Sequence, residues 1–311
     1  MEALLTTAFL TSLLAGAVTA GIPLLCAGLG EQVSEKAGVL NVGIEGMMLA
    51  GAYTGFLAAF TTGSMWAGFL AGAAGGLLVG ALMGLFCVIL GLNQIVVGIA
   101  LTLGAEGVTA LLHHVQFSRS YPRLPATETL PIPFLSDIPV VGPALFDRHP
   151  VAYLAVLMVA VLAFVFRRTA LGLHLEAAGD RPAALDAAGI DVTKTRFAAV
   201  LFTGAMAGIG GTYMANIGAG IFIPFMTGGA GFIGIVLAML ARGRPVAVLL
   251  GAFLFGASMA LTTALQVGGV NIPTDVIQMV PFAAVMVVLV VFGRRARLPA
   301  ALGLPYVRGE R

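Results

Sequence analysis

Glu35-Lys36-Ala37-Gly38-Val39-Leu40-Asn41-Val42-Gly43-Ile44-Glu45-Gly46-Met47-Met48 carries three charges and an amide in a chain that is short of both. Apolar runs flank it, and the second of them starts at once at Met47. Polar, glycine-punctuated backbone survives at membrane depth only where protein or a wet cavity surrounds it. The stretch therefore predicts a broken membrane segment beside the route of something polar, with Asn41 and Glu45 flanking the turn.

The rest of the 311 residues supports a membrane setting. Hydrophobic residues make up 59% and charged residues 10%, the mean hydropathy is +1.03, and soluble domains carry roughly 25% charge. Several apolar runs reach the roughly 20 residues that span a hydrocarbon core. The expected class is an all-α, polytopic transmembrane bundle forming a single domain over residues 1–311. The 42 glycines suit close helix packing in lipid. Cys26 and Cys87 both lie inside apolar runs, so packing is expected of them rather than a disulfide or a metal site, and no cofactor is expected. Glu2 is the only charge near the N-terminus, and Leu25 is a poor residue before a lipidated cysteine. The first apolar run therefore reads as a retained span.

Working outward, spans are expected near 4–29, 47–61, 66–90, 95–112, 151–166, 197–216, 232–241, 246–266 and 276–292. Re-entrant segments leave the number at about nine or ten. Pro23 predicts a kink. Gly72, Gly76, Gly80 and Gly84 recur every fourth residue and predict a helix–helix contact stripe. Seven prolines make 113–150 a mostly non-helical loop outside the membrane. A second glycine-rich break, 218–231, mirrors the first in the other half of the chain.

Thirteen of the sixteen Lys and Arg fall in 30–46, 91–94, 167–196, 242–245 and the tail, against Arg119, Arg123 and Arg148 elsewhere. Positive charge marks the cytoplasmic side, so the N-terminus is expected outside and the C-terminus inside. On this reading 167–196 is a cytoplasmic loop, and 293–311 is a basic tail at the membrane surface. Trp66 suits an outer interface. Within the loop, Asp180 and Pro182 start a short helix that Gly189 closes. Two turns do not hold alone, so this helix should dock on something.

Among polar residues near the spans, Glu106 fits either a solute-facing acceptor or a structural tie. Asn93 and Gln94 begin a helix, where capping competes with a pathway role. Asn216, Gln266 and Gln278 suit interhelical hydrogen bonds. His113 shares a face with Glu106 but has no further ligand cluster, so an interfacial place is expected for it and His114.

Gly179-Asp180-x-x-Ala183-Ala184-x-x-x-Gly189-Ile190 resembles the cytoplasmic coupling loop of ATP-binding-cassette (ABC) importer permeases that carry simple sugars, branched-chain amino acids and nucleosides. Lys36 to Met48 resembles the nucleoside-type members, as does Pro224-Phe225-Met226-Thr227-Gly228-Gly229-Ala230-Gly231-Phe232-Ile233. The similarity runs from about residue 10 to 295 and departs from the nucleoside pattern at Thr102 and Ala230. It implies a type II-like permease in a bacterial plasma (inner) membrane. The implied partners are an ABC ATPase subunit, a second permease (a heterodimer, with a homodimer as the alternative) and an extracytoplasmic substrate-binding protein. The remaining contacts are membrane lipid and a small polar solute, with no nucleic acid.

No Gly-x-x-x-x-Gly-Lys-Ser/Thr phosphate loop occurs, and Lys36 and Lys194 are the only lysines. Any ATP hydrolysis would belong to a separate subunit docked on Glu176 to Ile190, namely Glu176, Gly179, Asp180, Ala183, Ala184, Gly189 and Ile190. The expected pathway residues are Asn41, Glu45, Asn93 and Glu106, with Phe222 or Phe225 as an aromatic platform for a nucleoside. The alternatives are a sugar or branched-chain amino acid permease, and a secondary transporter or channel needing no ATPase. An enzyme is disfavoured, since no His-Glu-x-x-His or Gly-x-Ser-x-Gly occurs.

Overall fold

The computed structural model describes residues 7–125, 127–267 and 298–308, together with Met279, Ala283, Met286 and Val290. Most of the expected span at 276–292, Gln278, the side chain of Gln266, and Arg294, Arg295, Arg297 and Arg311 lie outside the described residues.

Apolar segments in lipid must close their backbone hydrogen bonds internally, and here they do so as helices. Helix α1 runs Thr7–Lys36, α2 Ile44–Thr62 and α3 Met65–Met83 with a π-helical continuation Gly84–Ile89, followed by α4 Gln94–Phe117. The next loop holds the short helix α5 Val141–Leu145. In it, the two-residue strand β1 Leu130–Pro131 pairs antiparallel with β2 Asp147–Arg148. Helix α6 is Pro150–Arg168, and α7 Ala170–Asp180 and α8 Pro182–Ala187 form the polar connector. Helix α9 is Val192–Thr212, extended by the π-helical Tyr213–Ala219, and α10 Ala230–Ala241 and α11 Pro245–Val267 follow.

Among the described residues, five helical stretches are long and apolar enough to cross a membrane: Phe9–Lys36, Met65–Ile89, Gln94–Phe117, Pro150–Arg168 and Val192–Ala219. Ala230–Ala241 and Pro245–Leu261 are shorter apolar helices. With α2, these occupy the places of the eight spans expected before residue 268. The chain is a multi-pass membrane protein.

Small residues set how closely these helices approach. Gly72, Gly76, Gly80 and Gly84 of α3 are all buried. A Cβ on Gly76 would run into the Gly204 carbonyl and Gly208 of α9, and one on Gly80 would lie 3.1 Å from the Val200 carbonyl. The stripe is thus the contact surface expected of it. The Thr212 hydroxyl donates to the Gly51 carbonyl at 3.0 Å, tying α9 to α2 across the same seam. Helix α1 lies at the centre, packed by α9, α10 and α11. Gly210 gives α9 room to approach α1 at the Pro23 carbonyl.

Several element bounds differ from expectation. Helix α1 continues through Glu31, Gln32, Ser34 and Glu35 to Lys36, so the polar stretch begins as helix and the break shrinks to residues 37–43. Gly38 stops the helix at φ +88, with the Val39 N–H donating to the Ser34 carbonyl at 3.0 Å. Helix α4 reaches Phe117, since no proline intervenes before Pro122. Helix α9 starts at Val192 rather than near 197, because the Asp191 carboxylate accepts from the Lys194 N–H at 2.9 Å and caps it.

Candidate functional site

The first break is held by buried polar groups. Asn41 is 0% exposed. Its N–H donates to Glu31 Oε1 at 3.0 Å, and its Nδ2 lies 3.4 Å from the Met47 sulfur. The Gln94 side-chain oxygen accepts from the Leu40 N–H at 2.8 Å, which fastens the start of α4 to the same turn. Glu31, Gln32, Ser34, Glu35 and Asn41 also keep buried polar atoms with no hydrogen-bond partner among the described residues. Such atoms commonly hold water.

Glu45 joins this break to the second one. Its Oε1 accepts from the Gly229 N–H at 2.8 Å and its Oε2 from the Gly231 N–H at 2.6 Å, at the start of α10. Helix N-termini carry unsatisfied N–H groups and partial positive charge. Glu45 also sits in the first turn of α2, so one carboxylate serves two helix starts. A Cβ on Gly231 would lie 2.7 Å from the Glu45 Cα, which explains the glycine there.

The other expected pathway residues divide. Asn93 caps α4, its Oδ1 accepting from Ile95 and Val96 at 3.0 and 3.1 Å, and it sits exposed at the helix start. Glu106 is half-buried on α4, and its carboxylate makes no hydrogen bond or ion pair among the described residues. Gly104 and Gly107 nearby border open space, and Leu103, Val108 and Leu111 are exposed. Phe222 is enclosed by Tyr53, Phe56 and His113, with ring centroids 5.2, 6.4 and 5.6 Å away. It offers no open platform. Phe225 is 55% exposed and holds φ at +64. His113, expected at an interface, is instead buried in that aromatic cluster, with the Tyr121 ring centroid 5.1 Å away.

The connector forms two helices, α7 and α8, where one had been expected. Leu185, Ala178 and Val192 make its small apolar core, and Ala183 and Ala184 stay exposed. Gly189, at φ +84 and with open space around it, ends α8, and the Ile190 N–H donates to the Leu185 carbonyl at 3.2 Å. The Lys194 N–H bond and charge hold the Asp191 carboxyl below the usual range.

This connector abuts the polar stretch directly. Lys36 Nζ lies 2.7 Å from Glu176 Oε2 and over the Phe166 ring. Gly179 has no space for a side chain, since an added Cβ would overlap the Lys36 carbonyl and sit 3.0 Å from the Gly38 nitrogen. A polar cavity of about 240 Å³ lies alongside, lined by Gln32, Glu35, Lys36, Glu176, Asp180 and Arg242 among others.

Sequence reasoning passed over Glu31, Gln94 as a tie rather than a cap, and Arg196. Glu31 left a signal, being a carboxylate one turn before Glu35 in an apolar helix. Arg196 looked like one more cytoplasmic cation, yet it is 3% exposed.

The chain resembles several known proteins. It is 40% identical to the Haloferax volcanii protein TsgC13, provisionally named a glucose ABC transporter permease, over 81% of this chain and 77% of that one. It is 32% identical to the nucleoside ABC transporter permease NupC of Lactococcus lactis subsp. cremoris and 30% identical to the guanosine ABC transporter permease NupQ of Bacillus subtilis. Each of these two matches covers 93% of this chain and 94% of the relative. A transporter provisionally described as metal-chelate-type ABC, solved facing inward, shares the fold at TM-score 0.53 and 17% identity, over 90% of this chain and 86% of that one. The family model described as the permease component of the branched-chain amino acid transport system matches residues 12–290. The chain belongs to this ABC-type permease family, whose members are the membrane subunits of transport systems.

Proposed function

We propose that this permease subunit moves a neutral polar solute inward, a nucleoside by preference, with ATP hydrolysed by a separate subunit seated on α7 and α8. One observation carries the choice of solute class. Broken-helix N-termini are the natural seat for an anionic substrate group, and here the Glu45 carboxylate fills that seat through Gly229 and Gly231. A carboxylate-bearing amino acid would meet repulsion, while a nucleoside or a sugar would not. The likeness to NupC and NupQ over 93% of the chain supports the nucleoside. The 40% identity to TsgC13 supports glucose as the second reading.

The same reading takes α7–α8 as the coupling element, because Lys36 and Gly38 meet Glu176 and Gly179 without an intervening layer. It places the N-terminus outside and the C-terminus in the cytoplasm of a bacterial plasma membrane. The open face of α4, with Glu106 at its edge, borders the path and meets a second permease subunit as a heterodimer. An extracytoplasmic binding protein delivers the solute. The test is uptake by the complete complex in proteoliposomes with labelled guanosine, glucose and leucine. ATP-dependent uptake of guanosine without leucine is expected. Leucine uptake would overturn the solute class, and uptake by the lone chain without ATP would overturn the mechanism.

A further inference from the structure

The described part of the basic tail, residues 298–308, crosses the connector. The Ala300 N–H donates to Asp180 Oδ1 at 3.2 Å, the Ala301 N–H to the Gly179 carbonyl at 2.8 Å, and the Gly303 N–H to the Gly38 carbonyl at 3.1 Å. Tyr306 packs on the Leu185–Val192 core, and Arg308 Nε lies 3.1 Å from Asp186 Oδ2. The segment thus touches α7, α8 and the Gly38 turn at once.

Arg196, the buried guanidinium in the first turns of α9, sits under this strap. Its Nη1 donates to the Leu304 carbonyl at 2.7 Å and its Nη2 to the Ala178 carbonyl at 2.9 Å. A Cβ on Gly38 would lie 2.9 Å from that same Nη2. The guanidinium presents its donors in a fixed planar fork, and two of its nitrogens here satisfy carbonyls on different segments at once. Two further contacts share this seam: the partly exposed Lys36–Glu176 pair, and Gly179 packed against the Lys36 carbonyl beside the cavity lined by Gln32 and Glu35. Exposed ion pairs resist displacement weakly.

We propose that the 298–308 strap, pinned by Arg196, is the clasp through which movement of α7–α8 is passed to α9 and to the end of α1. Arg196 is a positioning residue: it touches no solute, and it holds the connector to the membrane helices. The inference rests on α7–α8 being the ATPase seat. Without the strap the connector would still meet the ATPase through its exposed Ala183–Ala184 face, yet would move without carrying the bundle along.

The experiment compares three variants in the complete reconstituted complex, at matched amounts of assembled transporter. They are deletion of 298–311, Arg196→Met with Arg196→Lys beside it, and Gly189→Trp on the far end of α8. The readouts are ATPase subunit retained on the permease, ATP hydrolysed, and guanosine taken up per ATP. Strap deletion and Arg196→Met are expected to retain the ATPase and its hydrolysis while uptake per ATP falls about tenfold or more, equivalent to about 1.4 kcal/mol of coupling. Arg196→Lys, which keeps the charge but loses the fixed fork, is expected to recover part of it. A loss of stability alone would lower the amount assembled and leave the ratio unchanged. Normal uptake per ATP after strap deletion overturns the clasp. If Gly189→Trp also leaves ATPase retention and coupling normal, the seat on α7–α8 is wrong as well. If Gly189→Trp disrupts them while the strap variants behave as the parent, the clasp alone fails.

Discussion

The two breaks, residues 37–43 and 220–229, interrupt apolar helices in opposite halves of the chain, yet they are built differently. The first is fixed by side chains, with the Glu31 carboxylate and the Gln94 amide accepting from the Asn41 and Leu40 N–H groups and tying three segments together inside the protein. The second is shaped by its backbone. Gly220, Phe225, Gly228 and Gly229 all take positive φ, and the Leu124 N–H reaches the Gly220 carbonyl at 2.8 Å. The first break is a rigid mount, and the second is a glycine-shaped turn that leans on it through Glu45. A carboxylate that satisfies another segment's helix start orders that segment without spending its own local hydrogen bonds.

That difference can be broken at Glu45. Glu45→Ala removes both charge-assisted bonds and leaves the start of α10 unsatisfied, so a loss of about 3 kcal/mol is expected. Thermal unfolding in detergent reads it, with Glu45→Gln falling between the two because the amide offers one acceptor. An unchanged midpoint for Glu45→Ala would show the two breaks to be independent. Gly231→Ala attacks the same joint from the other side by placing a methyl against the Glu45 backbone. Overpacking of this kind is expected to cost about 2 kcal/mol and to lower uptake while the first break stays intact.

Asn41→Ala should be milder. The backbone bond to Glu31 persists and one side-chain contact to Met47 is lost, so about 1 kcal/mol is expected. A guanosine KM raised severalfold at nearly unchanged stability would place Asn41 on the solute path, whereas an unchanged KM would make it purely structural. The smallest effect is expected at Phe225→Gly. It relieves a left-handed backbone cost of about 1 kcal/mol, partly offset by glycine's entropy, and should raise the unfolding midpoint slightly. A lowered midpoint would mean that the exposed ring is held by contacts outside this turn.

Much of this was legible in the residues because it is local. The four-residue glycine spacing on α3, the Asn93 cap, the Gly189 stop and both breaks follow from periodicity and turn chemistry within a few residues. The glycine stripe is a helix–helix contact surface as expected, although its spacing did not name Gly204 and Gly208 as the partners. The long-range pairings were not legible. Glu45 and Gly231 are 186 residues apart, and Arg196 and Leu304 are 108 apart. No local pattern records which carboxylate will cap which helix. Phe222 read as a platform because an aromatic beside a glycine break suits one, yet Tyr53 and Phe56 converge on it from α2. The helical run through Glu31 and Glu35 was obscured because charges in an apolar run signal a break, whereas α1 buries them and ends at Lys36, just before Gly38.

The central claim is that the polar stretch is the junction between the connector and the membrane helices. The direct measurement is guanosine uptake per ATP hydrolysed by the complete complex carrying Gly179→Leu, a change that forces α7 off the Lys36 carbonyl while leaving the exposed face of α8 untouched. The account predicts that ATPase binding persists and uptake per ATP falls at least tenfold. Uptake per ATP equal to that of the parent, with the variant assembled in normal amount, would contradict it.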